Sequence, residues 1–183
     1  MATHAARLLA ASMFGFILLS ATRSHADDMK RIRTDSTYLQ TVVADAADRS
    51  STLRAIVQQI DASNVIVHVT CEHLNSSTLQ GRTMWVSSVA GVRYVRVQIE
   101  CMLTRPELVA ILGHELQHVA EIAAAADVVD RRSFARLFNT IGFSTCRFAE
   151  QYETPGAIRA GERVRQEFVS GKREVRPSLT AAP

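Results

Sequence analysis

The spacing of apolar residues changes twice along this chain, and those two changes set the order of its elements. Over residues 36–61, Leu39, Val42, Val43, Ala46, Ala47, Leu53, Ile56, Val57 and Ile60 recur mainly three and four apart. That interval lines one face of a helix. It predicts one or two amphipathic helices, with a break near Arg49-Ser50-Ser51. Residues 64–71 (NVIVHVTC), 83–89 and 92–101 (VRYVRVQIEC) are short and rich in β-branched residues, and the last two are joined at Ala90-Gly91. They predict a three-stranded sheet running as a simple meander. In the third strand Arg93, Val95, Val97 and Ile99 share one face, which is therefore mostly apolar.

After Cys101 the helical period returns. Thr104-Arg105-Pro106-Glu107 has the Thr-x-x-Glu form of a capping box, with proline in the first turn where its missing N–H costs nothing. Residues 108–126 follow with Gly113 as the one breaker. Further helices are expected over 131–141, ended by Gly142, and from about 152–155 to about 169, ended near Gly171. Helix, strands, then helices is the order of an α+β fold.

The first stretch of the chain reads as an address. Arg7 precedes an apolar run over 8–19, and Ser24 and Ala26 place small residues at the −3 and −1 positions of a cleavage site. That order predicts a signal peptide over 1–26, cleaved after Ala26, and hence a periplasmic or secreted protein. The alternative, a retained anchor, has to reckon with an apolar run shorter than the roughly 20 residues a bilayer asks for. Of 183 residues, 157 follow Ala26, enough for one domain over 27–171 with a polar tail over 172–183. Arg7 and Arg23 leave with the signal, so 19 basic residues face 18 acidic ones. Nothing in that balance calls for nucleic acid, and no later segment is long and apolar enough to span a membrane. Three cysteines remain, Cys71, Cys101 and Cys146. The ends of the first and third strands of a meander lie at one edge, so Cys71–Cys101 is the favoured disulfide, leaving Cys146 over.

Residues 114–118 read HELQH. On a helix, His114 and His118 stand one turn apart on one face and can offer two imidazoles to a single ion. Glu115 is then placed to take a proton from a water on that ion and pass it to a leaving amine. A pair of ordinary helix histidines is the bland alternative. It has to explain why two of the four histidines after Ala26 fall at ligand spacing around a glutamate.

The segment ILGHELQHVAEI resembles the active-site helix of the zincin metallopeptidases over about 20 residues. The resemblance implies a zincin-like fold, Zn2+ as cofactor, a peptide or protein substrate, His114 and His118 as ligands and Glu115 as general base. It also implies that the 92–101 hairpin lines a substrate groove, with the identity of the edge strand left open. The metzincin third ligand is missing, because Ala124 stands where that histidine would fall and Glu121 where the glycine would. A gluzincin-like arrangement takes a glutamate from a later helix. Glu150, Glu153 and Glu162 all qualify by position, and Glu153, in YETPGAIRAG, is favoured, although the N-E-x-x-S-D signature is absent. Against Glu153 stands its plain reading as a helix-entry carboxylate.

Glu121 shares the face of the histidines, but seven residues of helix separate it from His114 by about 10.5 Å of rise. It suits a group that orients a ligand histidine. Gly113 is expected to let another element pack close to the metal helix. His73, in a loop, is a candidate to reach the cleft. Tyr152 carries a phenol that can assist an oxyanion and reads first as a core residue. The other class of function is a non-catalytic periplasmic or secreted protein that uses the same scaffold for metal or partner binding.

Overall fold

The computed structural model describes residues 29–76, 78–145 and 152–171. The expected signal peptide, the tail, Cys146 and Glu150 lie outside them. Among the described residues the protein is α+β: five helices and a small mixed sheet, with a second two-stranded ribbon. The elements are β1 (Ile32–Thr34), α1 (Thr37–Arg49), α2 (Ser51–Asp61), β2 (Val65–Glu72), β3 (Gly81–Val89), β4 (Val92–Glu100), α3 (Arg105–Ala124), α4 (Arg131–Ile141), β5 (Phe143–Ser144), β6 (Tyr152–Glu153) and α5 (Pro155–Ser170).

The break expected near Ser50 is real. Ser50 is extended, and its hydroxyl accepts from the Leu53 N–H to open α2. The capping box at Thr104 opens α3, with Glu107 accepting from the Thr104 N–H at 2.9 Å.

The sheet departs from a three-stranded meander. It has four strands in the order β1-β2-β4-β3, so β4 lies between β2 and β3. β1 and β2 pair in parallel, as do β2 and β4, while β3 and β4 form the antiparallel hairpin. The three residues of β1 are too short to show a period of their own, which is why that strand was not expected. Val65, Val67, Val69, Val95, Val97 and Ile99 bury one face against the helices, while Ile66, His68 and Arg96 stand on the other, partly or fully exposed. Two layers result, with the core between them.

α3 is the axis of the helical layer, buried on most of its circumference. α5 crosses it closely. A Cβ on Gly113 would come within 2.8 Å of Val164, and one on Gly161 within 3.0 Å of the Ala110 carbonyl and 3.1 Å of the His114 Cβ. The expectation for Gly113 is met, and this crossing brings the start of α5 beside His114. Arg93, buried on the sheet's inner face, closes the far end of α3 by donating to the carbonyls of Ile122 (2.7 Å), Ala123 (3.1 Å) and Ala125 (2.6 Å).

Candidate metal centre

His114 and His118 project from one face of α3, their ring centroids 4.9 Å apart. Glu153 reaches them from the residue pair that ends β6. The β5–β6 pairing of Phe143 with Glu153 fixes its backbone on one side. On the other, the Thr154 hydroxyl accepts from the Ala157 N–H and opens α5. One donor atom from each of His114, His118 and Glu153 lies within 4.8 Å of the other two. His114 Nε2 and Glu153 Oε2 are 3.3 Å apart. A tetrahedral ion with bonds of about 2.0–2.1 Å sets its ligand atoms about 3.3 Å apart. Two imidazoles and one carboxylate, partly or fully buried, are the donor types a small divalent transition-metal ion takes, and the His114–Glu153 pair already stands at that spacing.

Glu121 stands behind the site. Its Oε2 lies 3.1 Å from His118 Nδ1, and its Oε1 accepts from the Thr154 hydroxyl at 2.8 Å. A carboxylate only accepts, so His118 carries its proton on Nδ1 and keeps the Nε2 lone pair for an ion. One carboxylate thus orients a candidate ligand and ties down the residue next to another.

Glu115 points to the sheet side of α3, where its Oε2 accepts from the Thr83 hydroxyl at 2.7 Å. A Cβ on Gly81 would fall 2.7 Å from the Glu115 Oε1, so that strand must be bare there to come so close. Burial raises the pKa of Glu115, opposed by His118 and His114 and by the Thr83 hydrogen bond. For His114 burial works downward, but the hydrogen bond to Glu153 and the charges of Glu115, Glu153 and Glu121 carry its pKa above the ordinary value. Burial works upward on Glu153, yet the bond to His114 and the charges of both histidines bring it below the usual carboxylate range. Such opposed shifts in one cluster are what acid–base sites show.

A cleft of about 440 Å³ opens over Glu115, His118 and Glu153, walled by β3 (Thr83, Trp85), by α4 (Phe134, Phe138) and by Tyr152. Its aromatic wall is continuous from the site outward. Phe138 meets His118 edge-on at 5.3 Å, Phe134 meets Phe138 at 4.8 Å, and Trp85 lies 6.5 Å from Phe134.

The structure brings together His114, Glu115, His118 and Glu153, and sets Glu121 behind them. Glu162 is exposed on α5, outside the cluster. His73 does not reach the cleft, because its Nδ1 pairs with Glu100 at 3.0 Å. Both β3 and β4 pack on α3, but the strand that lines the cleft is β3, at the sheet edge, and no residue of the inner strand β4 does. Tyr152 lines the cleft partly exposed, and Asn139 donates to its hydroxyl at 3.4 Å. Thr83, Thr154 and the aromatic wall were not visible beforehand. Thr154-Pro155 does carry a cap-then-proline helix start, but a threonine on a strand announces no long-range partner.

The expected Cys71–Cys101 disulfide is not formed: both are free thiols, at the same end of the parallel pair β2–β4. No protein-family model, no curated protein and no solved structure matches this chain.

Proposed function

We propose that this chain is an exported, zinc-dependent metallohydrolase of the zincin type, acting as a peptidase. One observation carries the reading. His114, His118 and Glu153 each bring a ligand atom within 4.8 Å of the other two, and His118, Glu153 and Glu115 line one open cleft. No helix among the described residues is long and apolar enough to cross a membrane.

His114, His118 and Glu153 would hold the ion. When bound, zinc supplies Lewis acidity, polarising a substrate carbonyl and making water acidic enough to ionise near neutral pH. The protein's own groups do the rest. Glu115, held by Thr83, takes a proton from the attacking water and returns it to the leaving amine. The outer side of β3 pairs with no strand among the described residues. An extended peptide can add there through its backbone, while Trp85, Phe134 and Phe138 receive an apolar side chain.

The test is hydrolysis of a fluorescein-labelled casein and of a mixed-sequence peptide library by the zinc-loaded protein, with Glu115→Gln alongside. The expected result is turnover that falls at least about 100-fold in Glu115→Gln while the metal stays bound. Zinc bound without hydrolysis by the wild type would overturn the enzyme reading in favour of a binding protein.

A further inference from the structure

We infer that Cys71 and Cys101 are a modification site, an oxidisable pair whose disulfide staples both ends of the segment that forms the cleft's sheet-side wall. Cys71 is the penultimate residue of strand β2, opposite Ile99 of β4 on the buried face of the sheet. Cys101 follows the end of β4 directly, and its N–H donates to the Glu72 carbonyl at 3.2 Å. Because β2 and β4 are parallel neighbours, the two cysteines leave the sheet at the same end, with Cys101 two residues beyond Ile99, the partner of Cys71, and tied back to the end of β2 by its hydrogen bond to Glu72. The side chains already meet as neighbouring thiols.

Everything between the two cysteines is the 73–80 connection and the β3–β4 hairpin, which brings Gly81, Thr83 and Trp85 to the cleft. The connection is fastened at the same place by a second device. Glu100 accepts from the Leu74 N–H at 2.8 Å and from the Met102 N–H at 3.2 Å, and pairs with His73. A disulfide there would make permanent a closure that now rests on hydrogen bonds.

The two thiols differ in role. Cys101 is exposed and is the one open to a reagent. Cys71 is partly buried, and burial together with the Cys101 contact pushes its thiol up to about 12. Oxidation needs an acceptor, which is an external disulfide such as oxidised glutathione or the active disulfide of an oxidoreductase. Cys101 as thiolate attacks that disulfide, forms a mixed disulfide and releases one thiol. Cys71 then loses its proton, attacks the Cys101 sulfur and releases the second thiol. Two electrons and two protons pass from the protein to the acceptor, and one S–S bond forms in the chain. None of this depends on the metal reading.

The test is to incubate the purified full chain with oxidised glutathione, alkylate it under denaturing conditions without reduction, and map peptides by mass spectrometry. The expected result is one alkylated cysteine of three and a cross-linked pair of peptides carrying Cys71 and Cys101. Three alkylated cysteines, a stable glutathione adduct on Cys101, or a bond to Cys146 would each overturn it. The double variant Cys71→Ser/Cys101→Ser gives a second reading. Reduction should lower the thermal midpoint of the oxidised wild type and leave the double variant unmoved. Equal responses would count against a staple.

Discussion

The two sides of α3 are built to different standards. Behind it, Val65, Val67, Val69, Val95, Val97, Leu112 and Leu116 are all essentially inaccessible, interleaved with Leu39, Val42 and Val43 of α1 and Leu53 and Ile60 of α2. In front, α4 buries only Ser133 and Phe138, and leaves Leu137 and the cleft-lining Phe134 partly open. A helix that must hold two imidazoles and a carboxylate in register needs a rigid backing. The side on which substrate arrives needs room. The stability of this domain is therefore placed behind α3 and its proposed chemistry in front.

That contrast can be broken most forcefully at Leu112. Leu112→Ala should cost about 2–5 kcal/mol of unfolding free energy, the range for emptying a core leucine site, read from a denaturant titration. Phe134→Ala on the cleft side should cost less than about 1 kcal/mol, because the ring is already partly exposed. It should instead raise KM for peptides with a large apolar residue. Equal losses in the two variants would mean that α4 belongs to the core.

Arg93→Met comes next. It removes the donors from three helix-end carbonyls and should cost about 2 kcal/mol, more than a surface arginine is worth. Glu121→Gln tests the joint between core and cleft. It should leave folding nearly intact and weaken metal affinity by about 10- to 100-fold, measured by competition with a chromogenic chelator.

The smallest effect concerns pH, far from the cleft. Glu167 opposes its own partial burial with hydrogen bonds from Ser50, Thr52 and Ser51 at the start of α2, so its pKa lies below the ordinary 4.5. A depressed carboxylate adds stability that is present above the unfolded pKa and lost as pH falls through the folded one. Thermal midpoints measured from pH 6 downward should therefore drop below about pH 4.5, and Glu167→Gln should flatten that limb.

The pattern of legibility follows from the range of the interactions. The helix over 105–124, the break at Ser50 and the Ala90-Gly91 hairpin rest on neighbours in sequence, and periodicity and caps expose them. HELQH was readable for the same reason, since helical geometry alone puts His114 beside His118. Glu153 could be narrowed only to a few glutamates, because its place depends on how closely α5 crosses α3 at Gly113 and Gly161. The insertion of β4 between β2 and β3, and the Thr83–Glu115 hydrogen bond it allows, are tertiary facts with no local signature. Strand direction was readable where strand order was not, so the two cysteines were matched on a topology that proved different.

The most direct measurement of the central claim is the metal content of the purified protein, by mass spectrometry, in the wild type and in His118→Ala and Glu153→Ala. The account predicts about one zinc per chain in the wild type, lost in both variants while each still folds. Zinc retained in Glu153→Ala would move the third ligand elsewhere. A wild type that binds no metal even when zinc is supplied would contradict the account outright and leave HELQH as an ordinary stretch of helix.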